Sequence, residues 1–447
     1  MANSVEDYLI DGLSFKLKPG ASYINERKSV TYHPQGSNAY SASGTKLIKL
    51  LVSGDQWLDP STFRVAFDLV NMEPTGKKLR PLGGPHSFFK RMRVLCNGQI
   101  VEDIDDYNRV HEMFLVLTSA ESRINDGAEA FGSKWDIGDY TEKTNLTATN
   151  FPGIREGDYQ SVLFKPLSGL LAQPKYIPLR YCPITIELEL VSEATTPLID
   201  YNFVTSSFTA ANTSLLWEIR NVMVKCDVCT LDNALDNSYA EHLLSGKSLP
   251  INYNTYVSQM QSILSGTNGQ KSVRLNVTRA LSRLKSVFVT LYKSPIQAIQ
   301  YIGRKKWNSF YSPMWAYAGA QYNEHSSQGE FEFQLQLGNK LYPEYPIRSH
   351  AEGYYQLRKT VGVQYNKLHT FDVGSHEYHD HKFILGTDTE KVLEAGFTGA
   401  NTRAGDILNI RFDHRGTTEN YYAHELQVIL HSDNIMEIRD SGVTVFD

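Results

Sequence analysis

A histidine-rich segment near the C-terminus carries the residue types that most often bind transition metals. Residues 376–381 have the sequence HEYHDH, with three histidines and two carboxylates. In a strand, His379 and His381 would lie on one face and His376 on the other. Clusters of histidine and carboxylate side chains can bind zinc, iron or manganese, so this segment is the best metal candidate in the sequence.

The residues that would complete such a metal site are missing from the expected positions. Cupins, which are jelly-roll enzymes with a similar His-x-His motif, also need a glutamate a few residues later and a distant histidine in a second motif. Residues 382–386 contain no glutamate, and no Pro-x-Gly precedes His414. We therefore predict a polar loop with exposed histidines, and no catalytic residue, metal or cofactor, with a cupin-like metalloenzyme as an alternative.

The four cysteines of the chain favour a structural role. A zinc site built on Cys226-x-x-Cys229 would need a second ligand pair, but the nearest other cysteine is Cys182. A redox-active pair usually lies at the start of a helix, whereas this pair ends a predicted strand. Four cysteines in 447 residues are also too few for a disulfide-based scaffold. We expect small, buried, unreactive side chains.

The charge pattern argues against a protein that coats nucleic acid. Lysine and arginine total 44 against 49 aspartate and glutamate, giving a net charge of −5. Only the basic run 303–307 (GRKKW) combines cations with an aromatic ring as single-strand binders do, and a surface loop is the simpler interpretation. The tyrosines and tryptophans of the long loop 294–328 leave a second alternative, a carbohydrate-binding or carbohydrate-active β-sandwich protein.

The elements that would position these residues are mostly strands. Thr62–Leu69 alternates apolar and polar residues, so that every second side chain can face a core. Alternation with one solvated face indicates antiparallel sheets. The same pattern predicts strands at Ile184–Leu190, Arg274–Val277, Val287–Leu291, Glu330–Leu337, Asp406–Phe412, Leu426–Leu430 and Val443–Phe446. Helical periodicity is confined to Asp105–Leu117, Asp232–Leu244 and Ser349–Val361, so the fold class is all-β with a few short helices and long loops.

Two segments of the chain look like copies of one unit. Each has a strand, a glycine turn, a link and a helix, and Gly338 follows Gly98 by 240 positions. The same offset separates Glu112 from Glu352 in the two helices. Because this offset is about half the chain length, the sequence predicts one β domain that has been duplicated. The helix at Asp232–Leu244 would connect the two copies.

The order of these segments resembles a known family. The run Phe88–Glu102 before its helix is similar to the first barrel of double jelly-roll major capsid proteins, and Leu231–Ser245 looks like their inter-barrel helix. Gly338–Ile347 resembles the second barrel of such proteins from polinton-like viruses and virophage relatives, and Gly442–Asp447 fits a last barrel strand. The resemblance covers most of the chain from about Tyr40.

The resemblance implies two tandem eight-stranded antiparallel jelly-roll barrels in a structural protein of the virion. Three copies would form a pseudo-hexameric homotrimer, and these capsomers would tile an icosahedral shell around double-stranded DNA. Expected partners are neighbouring capsomers, penton proteins and minor capsid proteins, with no sequence-specific DNA binding. The polar, acidic first 12 residues and the lack of a long apolar run predict synthesis in the host cytoplasm without secretion, and no membrane span.

The sequence also gives domain bounds and candidate structural residues. We predict an N-terminal arm at 1–25, a first jelly roll at 26–231, a linker helix at 232–247 and a second jelly roll at 248–447. Gly98 and Gly338 should form turns between strands. Pro343 and Pro346 should stiffen the link before the helix of the second half.

Overall fold

The protein is described here by a computed structural model. It describes residues 23–131, 153–198, 214–263, 270–292, 331–362, 382–392, 396–403, 407–415 and 425–447, together with residues 308, 310, 312, 373, 374 and 378. The basic run 303–307, the arm before residue 23, most of the loop 294–328 and all of the histidine-rich segment except Tyr378 lie outside these residues.

The first half of the chain contains ten strands and four short helices among the described residues. The strands are β1 Ile24–Tyr32, β2 Ala39–Tyr40, β3 Leu47–Val52, β4 Trp57–Asn71, β5 Phe89–Cys96, β6 Gln99–Asp105, β7 Tyr159–Phe164, β8 Ile177–Pro178, β9 Ile184–Leu190 and β10 Trp217–Leu231. The helices are a 3-10 turn at Pro85–Phe88, α1 Tyr107–Val116, α2 Ala120–Gly127 and α3 Gly169–Ala172.

A single helix and a second set of strands follow. The helix α4 spans Asn233–Leu244. The described elements after it are β11 Leu249–Ser262, β12 Gln270–Val277, β13 Leu284–Tyr292, β14 Phe331–Leu337, β15 Lys340–Ile347, α5 His350–Val361, β16 Ile384–Asp388, β17 Leu408–Arg415, β18 Glu425–Arg439 and β19 Gly442–Phe446. No helix in the described part of the chain is long and apolar enough to cross a membrane.

The two halves have the same sheet topology. In the first half the sheets have the strand orders β1-β10-β4-β7 and β3-β9-β5-β6, and in the second half β11-β18-β13-β16 and β12-β17-β14-β15. All the pairings between these strands are antiparallel, and each order follows from the other half by replacing every strand with its counterpart. The eight strands of these two orders in each half form a jelly roll, to which β2 and β8 are added in the first half and β19 in the second. The predicted fold class is confirmed.

Strict alternation along the strands produces the core of each barrel. In β9 every second residue from Ile184 to Leu190 is fully buried, while Thr185, Glu187 and Glu189 between them face outward. Glu187 forms ion pairs with Lys49 and Arg93 of the adjacent strands. Alternating apolar and polar residues place the apolar side chains on the inner face of each sheet and the polar ones on the outer face, as a β-sandwich requires.

Capping residues fix the ends of the helices α4 and α5. Asp232 caps α4 by accepting a hydrogen bond from the backbone N–H of Ala234 (3.1 Å), and Ser349 caps α5 through the N–H of Glu352 (3.2 Å). The helix α5 ends at Gly362, which has a φ of +81°. At the start of α1, Asp106 has a φ of +48° and pairs with Lys90 without capping the helix.

The predicted link between turn and helix is a strand in both halves. β6 pairs with β5, and β15 pairs with β14, so the repeated unit is a β-hairpin followed by a helix. The alternation of β6 is hidden in the sequence by its acidic residues. β1 begins at Ile24, two residues before the predicted start of the first barrel.

Candidate functional site: the junction of the two barrels

The predicted turn glycines lie at the tips of the two matched hairpins. In the first, Asn97 and Gly98 have φ angles of +48° and +81° between the paired residues Cys96 and Gln99. Two positive φ angles in a two-residue loop define the type I′ turn, which favours Asn-Gly. Gly338 has a φ of +57° at the corresponding tip.

The turn at Gly98 gives a testable prediction. An alanine there would meet no atom within 4 Å, so the cost comes from the backbone alone. We expect Gly98→Ala to lower the free energy of unfolding by about 1 kcal/mol in urea titrations. Gly98→Asn should cost less, because asparagine tolerates this conformation. Equal losses for the two variants would contradict the backbone explanation.

The two prolines lie inside β15, and not in a link before the helix. The strand is at the edge of its sheet, where a missing N–H breaks no ladder. Its pairing with β14 is interrupted opposite Gln334, whose side-chain amide donates to the carbonyl oxygens of Pro343 and Glu344 at 3.0 Å each. Pro343 follows a cis peptide bond, and Pro346 is one residue from the end of the strand.

At the junction of the barrels, α3 and β6 of the first contact β11 of the second. The Tyr253 hydroxyl donates to the Val101 carbonyl oxygen at 3.0 Å. A Cβ added to Gly169 would lie 1.5 Å from the Asn254 carbonyl oxygen, so only glycine allows the two backbones to come this close. The Lys175 ammonium donates to the Pro250 carbonyl oxygen at 2.8 Å.

A buried glutamate holds this junction in shape. Glu102 is 1% exposed, and its carboxylate accepts hydrogen bonds from the Ser168 hydroxyl and, at 2.8 Å, from the Gly169 N–H at the start of α3. Burial raises the pKa of Glu102 to about 7, although hydrogen bonds from Ser168, Gly169 and Leu170 oppose the shift. The side chain therefore fixes α3 against β6, and burial favours its neutral form more than in an exposed glutamate.

Apolar and cationic contacts extend the junction along α1. The centre of the Phe114 ring lies 4.6 Å from the centre of the Tyr256 ring and 5.4 Å from that of the Phe288 ring. The Arg109 guanidinium lies 4.5 Å from the centre of the Tyr292 ring and 3.5 Å from the Glu425 carboxylate. The buried apolar side chains of both barrels form one connected cluster, so the junction is a packed interior and not a loose contact between domains.

A second group of buried titratable side chains lies between the 3-10 turn and α1. His86 Nε2 is 2.7 Å from Glu112 Oε2, and the centres of the His86 and His111 rings are 4.2 Å apart. Burial raises the pKa of Glu112 to about 7, against the opposing positive charges of Arg123 and Lys382, and lowers that of His86 to about 3. Burial therefore disfavours the charged form of both side chains.

The described residues with candidate chemistry do not assemble into a reactive site. Cys226 and Cys229 are buried and free, and burial raises the pKa of Cys226 to about 12, which disfavours the reactive thiolate. No group of three or more histidine, cysteine, aspartate or glutamate side chains among the described residues could hold a metal ion. From the histidine-rich segment only Tyr378 is described; its buried hydroxyl donates to the Ile384 carbonyl oxygen at 3.0 Å.

An open concavity of about 480 Å³ lies on the second barrel. It is lined by Arg274, Asn276, Gln336, Gly338, Ile407, Asn409 and Arg411. Arg274 is already engaged by both carboxylate oxygens of Asp413, at 2.7 and 2.9 Å. None of the lining residues is aromatic, whereas ligand pockets usually present apolar and aromatic walls. This surface gives no support to a carbohydrate site.

The sequence did not identify the junction residues. Glu102 lies in a stretch interpreted as an acidic link, and Gly169 and Tyr253 carry no local motif. The one available signal was the match of Val101 and Glu102 to Leu341 and Tyr342 at the 240-residue offset, since an acid in place of an apolar residue suggests a different environment.

The whole chain superposes on solved viral proteins. The crystal structure of PBCV-1 VP54, fitted into a cryo-EM reconstruction of the virophage Sputnik, matches with a TM-score of 0.64 and 12% sequence identity, covering 97% of this chain and 99% of that chain. A chain of the cryo-EM structure of the Sputnik virophage matches with a TM-score of 0.60 and 10% identity, covering 100% and 93%. The Faustovirus major capsid protein matches with a TM-score of 0.53 and 9% identity, covering 96% and 93%.

These likenesses establish the double jelly-roll fold over nearly the full length of the chain. The strand orders of the four sheets lead independently to the same double jelly-roll fold. No protein-family model and no curated protein matches the sequence.

Proposed function

We propose that this protein is the major capsid protein of an icosahedral double-stranded DNA virus, and that it forms pseudo-hexameric homotrimeric capsomers. The observation that carries the proposal is the identical strand order of two barrels fused through a buried junction. Three chains present six similar barrels, so threefold symmetry can fill a position with six neighbours. The full-length likeness to the Faustovirus major capsid protein supports this role.

The proposed role is structural and not catalytic. The first jelly roll would span 26–231 and the second 248–447, with 232–247 as the linker helix and 1–25 as an arm that contacts neighbouring subunits. Gly98 and Gly338 would set the hairpin tips, and Pro343 and Pro346 would shape the edge strand. Function would then lie in the outer surfaces of the barrels, which would contact neighbouring capsomers, penton proteins and minor capsid proteins.

The proposed location is the virion capsid, after synthesis in the host cytoplasm. A net charge of −5 over 447 residues gives the chain little overall attraction for DNA. The shell would therefore enclose the genome without sequence-specific binding.

Light scattering coupled to size exclusion tests the proposal. We expect the purified full chain at micromolar concentration to have three times the chain mass of 50.5 kDa. Negative-stain electron microscopy should then show pseudo-hexagonal particles. A species of 50.5 kDa at all concentrations would contradict the capsomer, because a capsid building block must associate through large, specific surfaces.

A further inference from the structure

The equivalent strands β9 and β17 carry opposite charges at the same position of their outer faces. Both strands begin opposite the last residue before the turn of the matched hairpin, and their fourth residues are Glu187 and Arg411. In the first barrel Glu187 forms ion pairs with Lys49 and Arg93 of the adjacent strands. The second barrel therefore has a cation where the first has the anion that balances this row.

No acidic side chain completes the row around Arg411. Its cross-strand partners are Arg274 and Gln334, and like charges directly opposite each other on one face of a sheet are destabilising. Asp413 on the same face is engaged elsewhere, because its two oxygens accept from Arg274 at 2.7 and 2.9 Å and one of them also accepts from Ser272. Arg411 forms no hydrogen bond or ion pair with any described residue.

Arg411 lines the concavity of the second barrel, where the other polar side chains supply hydrogen-bond donors and none is acidic. Asn276 and Asn409 form the adjacent cross-strand pair, and the Asn409 amide donates to the Asn276 carbonyl oxygen at 2.6 Å. This bond leaves both N–H groups of the Asn276 amide and one of the Asn409 amide for a ligand. The corresponding pair in the first barrel is Leu51 and Thr185, which offers one hydroxyl.

We propose that this concavity binds a tetrahedral oxyanion such as phosphate, through the Arg411 guanidinium and the side-chain amides of Asn276 and Asn409. A guanidinium presents two parallel N–H donors to two oxygens of such a group, and the amides donate to a third. A carboxylate has no third oxygen, so the donor set favours the tetrahedral anion. The proposal goes beyond the capsomer and does not depend on it, because all the donors belong to one chain.

Phosphorus NMR titration of inorganic phosphate with the full chain, at an ionic strength held constant with chloride, tests the site. We expect saturable binding to the wild type and an affinity about tenfold lower in Arg411→Gln, because a charge-assisted hydrogen-bond pair is lost. Arg93→Gln removes a cation from the corresponding row of the first barrel and should bind phosphate as the wild type does. Equal affinities of the wild type and Arg411→Gln would show an adventitious ion only and overturn the proposal.

Acetate and a short single-stranded oligonucleotide identify the ligand by competition with phosphate. We expect acetate to compete about tenfold less effectively than unlabelled phosphate, and equal competition would overturn the assignment to a tetrahedral anion. Free phosphate and the phosphodiester of a nucleic acid share the proposed chemistry. With a net charge of −5 the chain should favour the small anion, whereas displacement of phosphate by the oligonucleotide would make a phosphodiester the ligand of the same site.

Charge reversal separates loss of the site from loss of the fold. Arg411→Glu recreates the charge pattern of the first barrel and places a carboxylate opposite Arg274. In phosphate-free buffer we expect this variant to unfold at a higher urea concentration than the wild type, because an opposite-charge pair replaces a like-charge pair. Added phosphate should raise the urea midpoint of the wild type by more than that of the variant, since only the wild type binds it. A lower midpoint of the variant without phosphate, or equal rises with it, would contradict the site.

Discussion

Gly169→Ala should lower the free energy of unfolding by about 3 kcal/mol, because it places a methyl group inside the backbone of the other barrel. The added Cβ would lie 1.5 Å from the Asn254 carbonyl oxygen and 2.5 Å from the carbonyl carbon. A side chain could rotate away from such a clash, but a strand held in its sheet cannot. Relief therefore requires α3 to move away from β11, which also strains the hydrogen bonds that Glu102 makes to Ser168 and Gly169.

Urea unfolding of the full chain at one fixed protein concentration measures this loss, since association would otherwise alter the midpoint. The matched control is Gly396→Ala, where the new Cβ meets no atom within 4 Å. We expect that variant to stay close to the wild-type value. A Gly169→Ala protein as stable as the control would mean that the barrels are not held at this distance.

The strands of each barrel could be predicted because one face of each sheet is buried and the other is solvated. Alternation then appears directly in the sequence, as in Ile184–Leu190, which forms β9 with the predicted bounds. The helices Asp232–Leu244 and Ser349–Val361 were predictable from their caps, since a cap acts within a few residues. The duplication followed from turn and helix positions, both of which are local features.

The junction could not be predicted, because it depends on residues that are distant in the sequence. Glu102 acquires its role only when Ser168 and Gly169 are folded beside it, and Gly169 only when Asn254 approaches. β6 itself was missed because both of its faces are buried in the middle of the strand, as the adjacent residues Val101 and Glu102 show. Where one barrel covers the strand, a buried acid replaces the alternation expected of a strand with one solvated face.

The same asymmetry links the fold to its proposed assembly. A duplicated barrel must diverge wherever the two copies meet different neighbours. Glu102 and Tyr342 occupy equivalent positions, and the first lies in the junction inside the chain while the second lies in an edge strand with exposed neighbours.

Glu102→Gln should remove a loss of stability that the wild-type protein suffers as the pH rises. Burial raises the pKa of Glu102 from 4.5 to about 7 in the folded state. Below pH 4.5 both folded and unfolded chains are protonated at this site, and the native stabilisation is complete. Between 4.5 and 7 the unfolded chain releases its proton while the folded chain keeps it, so stability falls as the pH rises through this window. The full loss corresponds to about 3 kcal/mol.

Glutamine has nearly the same shape, can still accept the hydrogen bond from the Gly169 N–H, and carries no charge at any of these pH values. Relative to wild type, Glu102→Gln should therefore gain about 3 kcal/mol between pH 4.5 and pH 8. Urea unfolding across this range, at one protein concentration, measures the difference. Contributions from His86 and Glu112 are common to both proteins and cancel, because these residues do not contact Glu102.

Glu121→Gln, which makes the same substitution at an exposed position of α2, is the matched control. The decisive quantity is the slope of the difference between variant and wild type, and not the stability at any one pH. A Glu102→Gln profile parallel to wild type would show that Glu102 ionises in the folded protein as it does in the unfolded chain. The buried carboxyl would then not be the neutral centre of the junction, and α3 would have to be held against β6 by Ser168 and the packing around Gly169 alone.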